Sequence, residues 1–213
     1  MKCKSIGTAC VVLGTVLVVS ALGVTGIRLW HEERAGTHAQ QAMDKLFAQM
    51  PEQSVPATPD LPSASLETVE PLLNPAYRIM PEVVIDGVSY IGYLSIPTLG
   101  LELPVIGSST EENLEISPCR FYGTVYDQNF VIGGHRYRRH FRKLSTLGYG
   151  EGLSFTDMEG NVYTYEVAEY EVLEPNQAEY LCSGDWDLSL FTCTPGGLTR
   201  VVLRCLRTGG TGV

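Results

Sequence analysis

From Val83 to the C-terminus the chain never runs far before a turn residue interrupts it, and no long amphipathic helix breaks the series. That pattern restricts the fold more than any other feature, because short alternating apolar runs bury one face only as strands of a sheet. "VSYIGYLSI" leads through Pro97 and Gly100 into "LELPVI", which predicts a hairpin. "NFVIGG" reads as a buried strand ending on two glycines and His135. "GLSFTDMEGNVYTYEVAEYEVLEP" places two β-rich arms around Asp157, Met158, Glu159 and Gly160, the clearest hairpin in the chain. "DLSLFTC" and "TRVVLRCL" complete the set. Between them, "STEENLEIS" predicts a short helix with a Ser/Thr cap and Glu in its first turn. "RRHFRKLSTL" predicts a short helical stretch with Phe141 and Leu144 on one face. The expectation is a mainly β domain over 82–213, a closed barrel of about eight short strands with a few helical turns.

Of the 213 residues, 44% are hydrophobic and 18% charged, with 22 glycines and 12 prolines, which suits one turn-rich globular domain with appendages. Fifteen basic residues against 24 acidic ones give a net charge of -9, a surface that repels phosphate backbones, so no nucleic-acid partner is expected. Six cysteines stand at 3, 10, 119, 182, 193 and 205. None forms a C-x-x-C pair and no Cys/His spacing fits a structural zinc site, so no metal is expected. The even count leaves open a disulfide between two of Cys119, Cys182 and Cys205.

The N-terminus carries no charge from Ser5 to Ile27, 23 residues that are long enough to cross a hydrocarbon layer as a helix. Lys2 and Lys4 before it place the tip in the cytoplasm. A cleaved signal peptide is the competing reading; the apolar run continues to Leu29 and Trp30, which favours an uncleaved anchor over 1–30. Both readings export the rest. Residues 31–81 read as a stalk: apolar Ala42, Leu46 and Met50 fit a few helical turns, and Pro51, Pro56, Pro59, Pro62, Pro71 and Pro75 make a semi-extended spacer. The picture is a tether holding the domain away from the membrane, with an ordered arm wrapped on the domain as the alternative. His31 and His38 are expected to be ordinary exposed residues.

Chemistry is expected where strands end. Cys193 closes "DLSLFT" and precedes Thr194-Pro195-Gly196-Gly197; Arg200 follows seven residues later and opens the next strand. A turn between adjacent strands brings the two ends together, and an always-charged guanidinium beside a thiol suits oxyanion stabilisation. Taken alone, Cys193 reads more often as a small buried hydrophobe. His135 shifts that balance: it too ends a strand, and the preceding glycines permit close approach of another group. His140, in a basic stretch, is expected to be solvated, and Arg136, Arg138, Arg139, Arg142 and Lys143 to form a solvated face, with binding of an anionic envelope component as the second reading.

These residues together resemble the sortases, membrane-anchored cysteine transpeptidases of Gram-positive bacteria. The family's T-L-x-T-C signature appears as Ser189-Leu190-Phe191-Thr192-Cys193, with Ser first; its Gly-His pair as Gly134-His135; its I-P-x-L-x-L-x-L-P-V segment from Ile96-Pro97 to Pro104-Val105; and its arginine as Arg200. The likeness covers about 88–207. Gly150-Glu151 stands where the family usually has Gly-Asp, and Arg204, four residues along the same strand face, rivals Arg200 for the arginine role. The resemblance implies Cys193, His135 and Arg200 as catalytic residues and Thr192 as a substrate-positioning one. It further implies surface proteins with an LPxTG-like C-terminal sorting signal as donors, an amine of a peptidoglycan precursor as acceptor, and no cofactor, because the thioester conserves the bond energy. A pilin-polymerising sortase, a plain cysteine protease and a non-catalytic envelope-binding domain are the alternatives; the first often carries an aromatic lid, for which "NPAYRI" is a faint match, and a C-terminal anchor, which "RTGGTGV" does not resemble.

Overall fold

The computed structural model describes residues 2–50 and 79–211, with backbone alone described for 2–12, 24 and 27–32. The expected anchor at 5–27 falls partly among those backbone-only positions. The Pro-rich segment 51–78, with most of "NPAYRI", lies outside the described residues. Among the described residues, no helix is long and apolar enough to cross a membrane.

The described residues form nine strands, β1 Val83–Ile85, β2 Val88–Ile96, β3 Leu101–Ile106, β4 Cys119–Tyr122, β5 Phe130–Gly133, β6 Gly152–Asp157, β7 Val162–Leu173, β8 Leu188–Cys193 and β9 Arg200–Gly210, of which all but β1 and β4 fall on the predicted arms. Their order is β1-β2-β3-β4-β5-β8-β9-β7-β6, and β2 also pairs with β6. That second pairing closes β2 to β9 into an eight-stranded ring, with β1 extending one edge of β2. The expected barrel is therefore what the chain builds. Its seam needs Gly92: the backbone there has φ +147°, and a Cβ would meet the carbonyl oxygen of Thr156.

Period-two patterning fills the ring. Along β7, Tyr163, Tyr165 and Val167 turn inward between outward Thr164 and Glu166. They join Leu94, Ile96, Val105, Phe130, Ile132, Phe155, Leu190 and Leu203 in one core, each large side chain contributing about 1.5–3 kcal/mol by burial. The β6–β7 turn is organised by buried Asp157, whose Oδ1 accepts from the Glu159 and Asn161 backbone N–H groups and whose Oδ2 accepts from Asn161 Nδ2 and the Tyr163 hydroxyl. The predicted short helix is α2, Glu111–Ile116, with the Thr110 hydroxyl accepting from Asn113 N–H; α2 is numbered after the N-terminal helix α1, Lys2–Gln49. Phe141 and Leu144 are both fully buried from a 3-10 segment at Phe141–Thr146, as expected.

The first part of the expected stalk packs against the barrel, while 51–78 lies outside the described residues. The second half of α1 lies on the barrel, burying Ala35, Ala39, Ala42, Met43 and Leu46 as one stripe. Ala42 and Leu46 share a cluster with Ile85, Tyr90, Ile106 and Cys119, against which Leu114 and Ile116 of α2 pack. Lys45 reaches Asp86 at 2.5 Å, and Arg139 reaches Glu33 at 3.4 Å while crossing the helix where Gly36 leaves room. Small residues at 35, 39 and 42 let this part of the helix close down on the barrel.

Candidate active site

Three neighbouring strands, β5, β8 and β9, carry the site. β5 and β8 run parallel with Gly133 opposite Phe191, and Gly134 N–H donates to the Phe191 carbonyl at 3.1 Å. Continuing that register by two residues sets His135 level with Cys193. β8 and β9 are antiparallel with Cys193 opposite Arg200. His135, Cys193 and Arg200 thus form one row across three strand ends, and all three line the same groove. Arg200 Nη1 donates to Cys193 Sγ at 3.4 Å, and its guanidinium carbon lies 5.8 Å from the centre of the Phe191 ring.

The Pro-Gly-Gly turn now has a physical reading. Gly196 and Gly197 both have positive φ, +91° and +75°, while a Cβ at either would meet nothing, so backbone conformation requires glycine there. Thr194 N–H donates to the Thr199 carbonyl at 2.9 Å, and the two threonine hydroxyls stand 2.9 Å apart, clamping the turn's base. The glycines before His135 act otherwise: a Cβ on Gly133 would strike the Phe191 ring, and one on Gly134 the Phe141 ring. Protein side chains occupy the space that the sequence reading left to a substrate or another backbone.

The groove has a volume of about 330 Å³. Its walls are mostly apolar, with Leu114 and Phe121 on one side and Leu173, Pro175 and Leu181 on the other. Phe121 packs edge-on against Phe191 at 5.2 Å. Thr192, the predicted positioning residue, is buried in the groove lining, and its Oγ1 has no hydrogen-bond partner.

One expectation needs correction. His140 is not solvated but 1% exposed, with neither ring nitrogen hydrogen-bonded. Its neighbours Phe141 and Leu144 pull the segment inward, and burial, helped by the charge of His135, pushes its pKa down to about 4. Arg139 is exposed, as expected, and also reaches Glu33 of α1.

Arg204, the rival arginine, spends its donors on other partners although it stands four residues from Arg200. Buried to 1% exposure, it donates from Nε to Glu171 at 2.8 Å, from Nη1 to Ser189 Oγ at 3.0 Å and the Leu181 carbonyl at 2.7 Å, and from Nη2 to the Tyr180 carbonyl. Those carbonyls end the short helix α3, Ala178–Leu181, which walls the groove. The serine that replaces the signature's first threonine is thereby a ligand of this arginine. Glu111, at the start of α2, was not singled out by the sequence: its Oε1 stands 3.5 Å from His135 Nε2. A capped helix with an acidic first turn was legible, but nothing local said that it faced His135.

Cys119, Cys182, Cys193 and Cys205 are all free thiols. Burial pushes Cys119 and Cys205 up to about 12 and raises Cys182, the last partly offset by Arg204, so these three are poor thiolates. Among the described residues, no group of three or more His, Cys, Asp or Glu could hold a metal ion.

Comparison with known proteins agrees with this geometry. Residues 94–208, more than half the chain, match the family model of the sortase domain. Sortase A of Bacillus anthracis is 30% identical over 115 residues, which are 51% of this chain and 54% of that relative, so the match spans about half the relative's length. Among solved structures, sortase A from Corynebacterium diphtheriae superposes with a TM-score of 0.52 at 25% identity, covering 57% of this chain and 62% of the other. Sortase C1 from Streptococcus agalactiae gives a TM-score of 0.52 at 25% identity, covering 59% and 71%. A matched domain that contains all three strand ends, and a ring closed as the motifs implied, leave one assignment: the chain belongs to the sortase family.

Proposed function

We propose that this protein is a cysteine transpeptidase that cleaves a C-terminal sorting signal of the LPxTG kind and transfers the shortened surface protein to an amine of the cell wall. The observation that carries the reading is the row of His135, Cys193 and Arg200, with a guanidinium donor 3.4 Å from the sulfur at the end of an apolar groove. Cys193, as thiolate, attacks the carbonyl before the scissile bond. Arg200 donates to the oxyanion that develops. His135 protonates the departing amine and later takes the proton of the incoming one. Thr192, whose buried hydroxyl has no protein partner, offers a donor or acceptor to the bound peptide. Leu, Pro and Thr side chains suit walls of Leu114, Phe121, Leu173 and Leu181, and the sorting peptide needs no charge to bind there.

The same reading places 1–30 as a membrane anchor with its tip in the cytoplasm, 31–81 as the link and 82–213 as the catalytic domain outside the membrane. Leu13, Val16, Leu17, Val18, Val19 and Leu22 each expose more than half of their surface on α1, an apolar sleeve that lipid would cover.

The test is incubation of the full chain in detergent with a panel of sorting peptides, with and without an added amine, read by mass spectrometry beside Cys193→Ala. Exchange that depends on the amine and disappears in the variant supports the transpeptidase. Cleavage indifferent to amine would indicate a protease, and undiminished turnover by Cys193→Ala would falsify the assignment.

A further inference from the structure

The cations of the loop after His135 take no part in the chemistry above. From Gln128 to Gly150 the chain has no acidic residue, and Arg136, Arg138, Arg139, Arg142 and Lys143 crowd into one short stretch of it. They are a third of the 15 basic residues in a chain of net charge -9, so the loop is a local reversal of sign. Arg138 and Lys143 are exposed and Arg136 is half-exposed; among the described residues, none of these three has an ion pair. The fold fixes the height of this patch along α1. Arg139 reaches Glu33 at 3.4 Å and crosses the helix at Gly36. Because α1 is continuous from Lys2 to Gln49, a rise of about 1.5 Å per residue sets Glu33 only about 9 Å along the axis from Ile27, where the uncharged run ends.

We propose that this loop docks on the anionic lipid headgroups of the membrane that holds α1. The inference rests on the anchor reading of 1–30 and deepens it, turning a tether into a fixed stance. The headgroup layer beyond the hydrocarbon is about 5–8 Å deep, and charge is felt over a Debye length of about 8 Å. A patch at the level of Glu33 is therefore within reach of lipid phosphates. The signs agree: the loop is cationic, and the acidic remainder of the chain is repelled from the same surface. Lipid is favoured over a soluble polyanion because the anchor already holds the patch beside it, which makes the contact intramolecular in effect. Each cation near such a surface strengthens the contact about fivefold, so Arg136, Arg138 and Lys143 together favour the docked loop by about a hundredfold. Since the loop begins at His135, docking sets the row of strand ends at the bilayer surface instead of letting it swing on its helix.

The test is an arginine footprint. Full-length protein is placed in nanodiscs of phosphatidylcholine, alone or mixed with phosphatidylglycerol, and treated with phenylglyoxal, which modifies accessible guanidinium groups. Adducts are quantified by peptide mass spectrometry. Phosphatidylglycerol should cut modification of Arg136 and Arg138 by about fivefold or more relative to Arg120, and about 0.5 M salt should restore it. Arg138→Gln combined with Lys143→Gln should leave Arg136 nearly as reactive in anionic discs as in neutral ones. The lipid and salt arms need no variant, so a double variant that fails to fold does not block the test. Quenching of Trp30 by brominated lipid in the same discs reports whether the anchor is inserted; the other tryptophan, Trp186, precedes β8 and so lies at the far end of that strand from Cys193. Quenched Trp30 with equal arginine modification in both lipids overturns the docking and leaves the anchor standing. Unquenched Trp30 overturns the anchor reading and the docking with it. Protection by soluble polyphosphate in neutral discs that phosphatidylglycerol does not match overturns the lipid assignment in favour of a soluble polyanion.

Discussion

Two layers of this protein each pair a histidine with an arginine and differ in depth. At the strand ends, His135, Cys193 and Arg200 are half-buried and face a groove. Beneath them, His140, Ser189 and Arg204 are each at most 1% exposed. The upper arginine has a sulfur and an aromatic ring for company and spare donors toward the groove; the lower one is saturated by a carboxylate, a hydroxyl and two helix-end carbonyls. The upper histidine has a carboxylate at 3.5 Å; the lower has no hydrogen-bond partner. Residue type offers a chemistry, and burial decides whether that chemistry is available to a substrate or consumed by the fold.

The sharpest way to break this comparison is to exchange effects between the layers. Arg200→Ala should lower turnover by about 10²- to 10³-fold, the loss seen when an oxyanion donor is removed, with little change in the denaturation midpoint. Arg204→Ala should do the reverse in kind: about 3 kcal/mol of stability lost, because the Glu171 carboxylate and the two carbonyls ending α3 lose their donor. Urea denaturation and steady-state kinetics on both variants decide; a large stability loss for Arg200→Ala, or none for Arg204→Ala, would erase the distinction.

His140 sharpens it through pH. Held neutral by burial, with its pKa pushed down to about 4 from 6.5, it takes up a proton in the unfolded chain at higher pH than in the folded one. Stability is therefore intact above about pH 6.5, falls as pH drops toward about 4, and is flat below that on this group's account, the total amounting to about 3 kcal/mol. His140→Phe should remove that acid slope while leaving stability at pH 7 nearly unchanged; a persistent slope between those two values counts against it. Glu111→Gln is the mildest expected change. An exposed pair at 3.5 Å is worth less than about 1 kcal/mol, so no more than a few-fold shift in kcat/KM is expected from steady-state kinetics.

Much of the fold was legible because it follows local rules. Alternating apolar residues gave the strands, Asp157 to Gly160 the hairpin turn, and Thr110 with Glu111 the capped helix. The site was legible as a set for a different reason: His135, Cys193 and Arg200 all stand at strand ends, where a turn must follow and a side chain is not sealed in. Arg204 could be ranked second but not explained, because its four partners, Glu171, Tyr180, Leu181 and Ser189, all come from other elements. His140 was misjudged since its charged neighbours in sequence are not its neighbours in space. The packing of α1 on the barrel was out of reach likewise: Ala42, Leu46 and Met50 were seen as a helical stripe, but the surface that stripe meets was not in view.

By itself, the sequence determined the β class, the order of the strands along the chain, the turn that needs glycine at 196 and 197, and which residues carry reactive groups. These depend on steric limits and periodicities that act within a few residues. Only the tertiary structure decided that β2 and β6 meet to close the ring, that α1 lies on the barrel, that Glu111 faces His135, and that two arginines of one strand face have opposite fates. Those outcomes depend on which distant surfaces come into contact, and on how much water is left around a charge once they have.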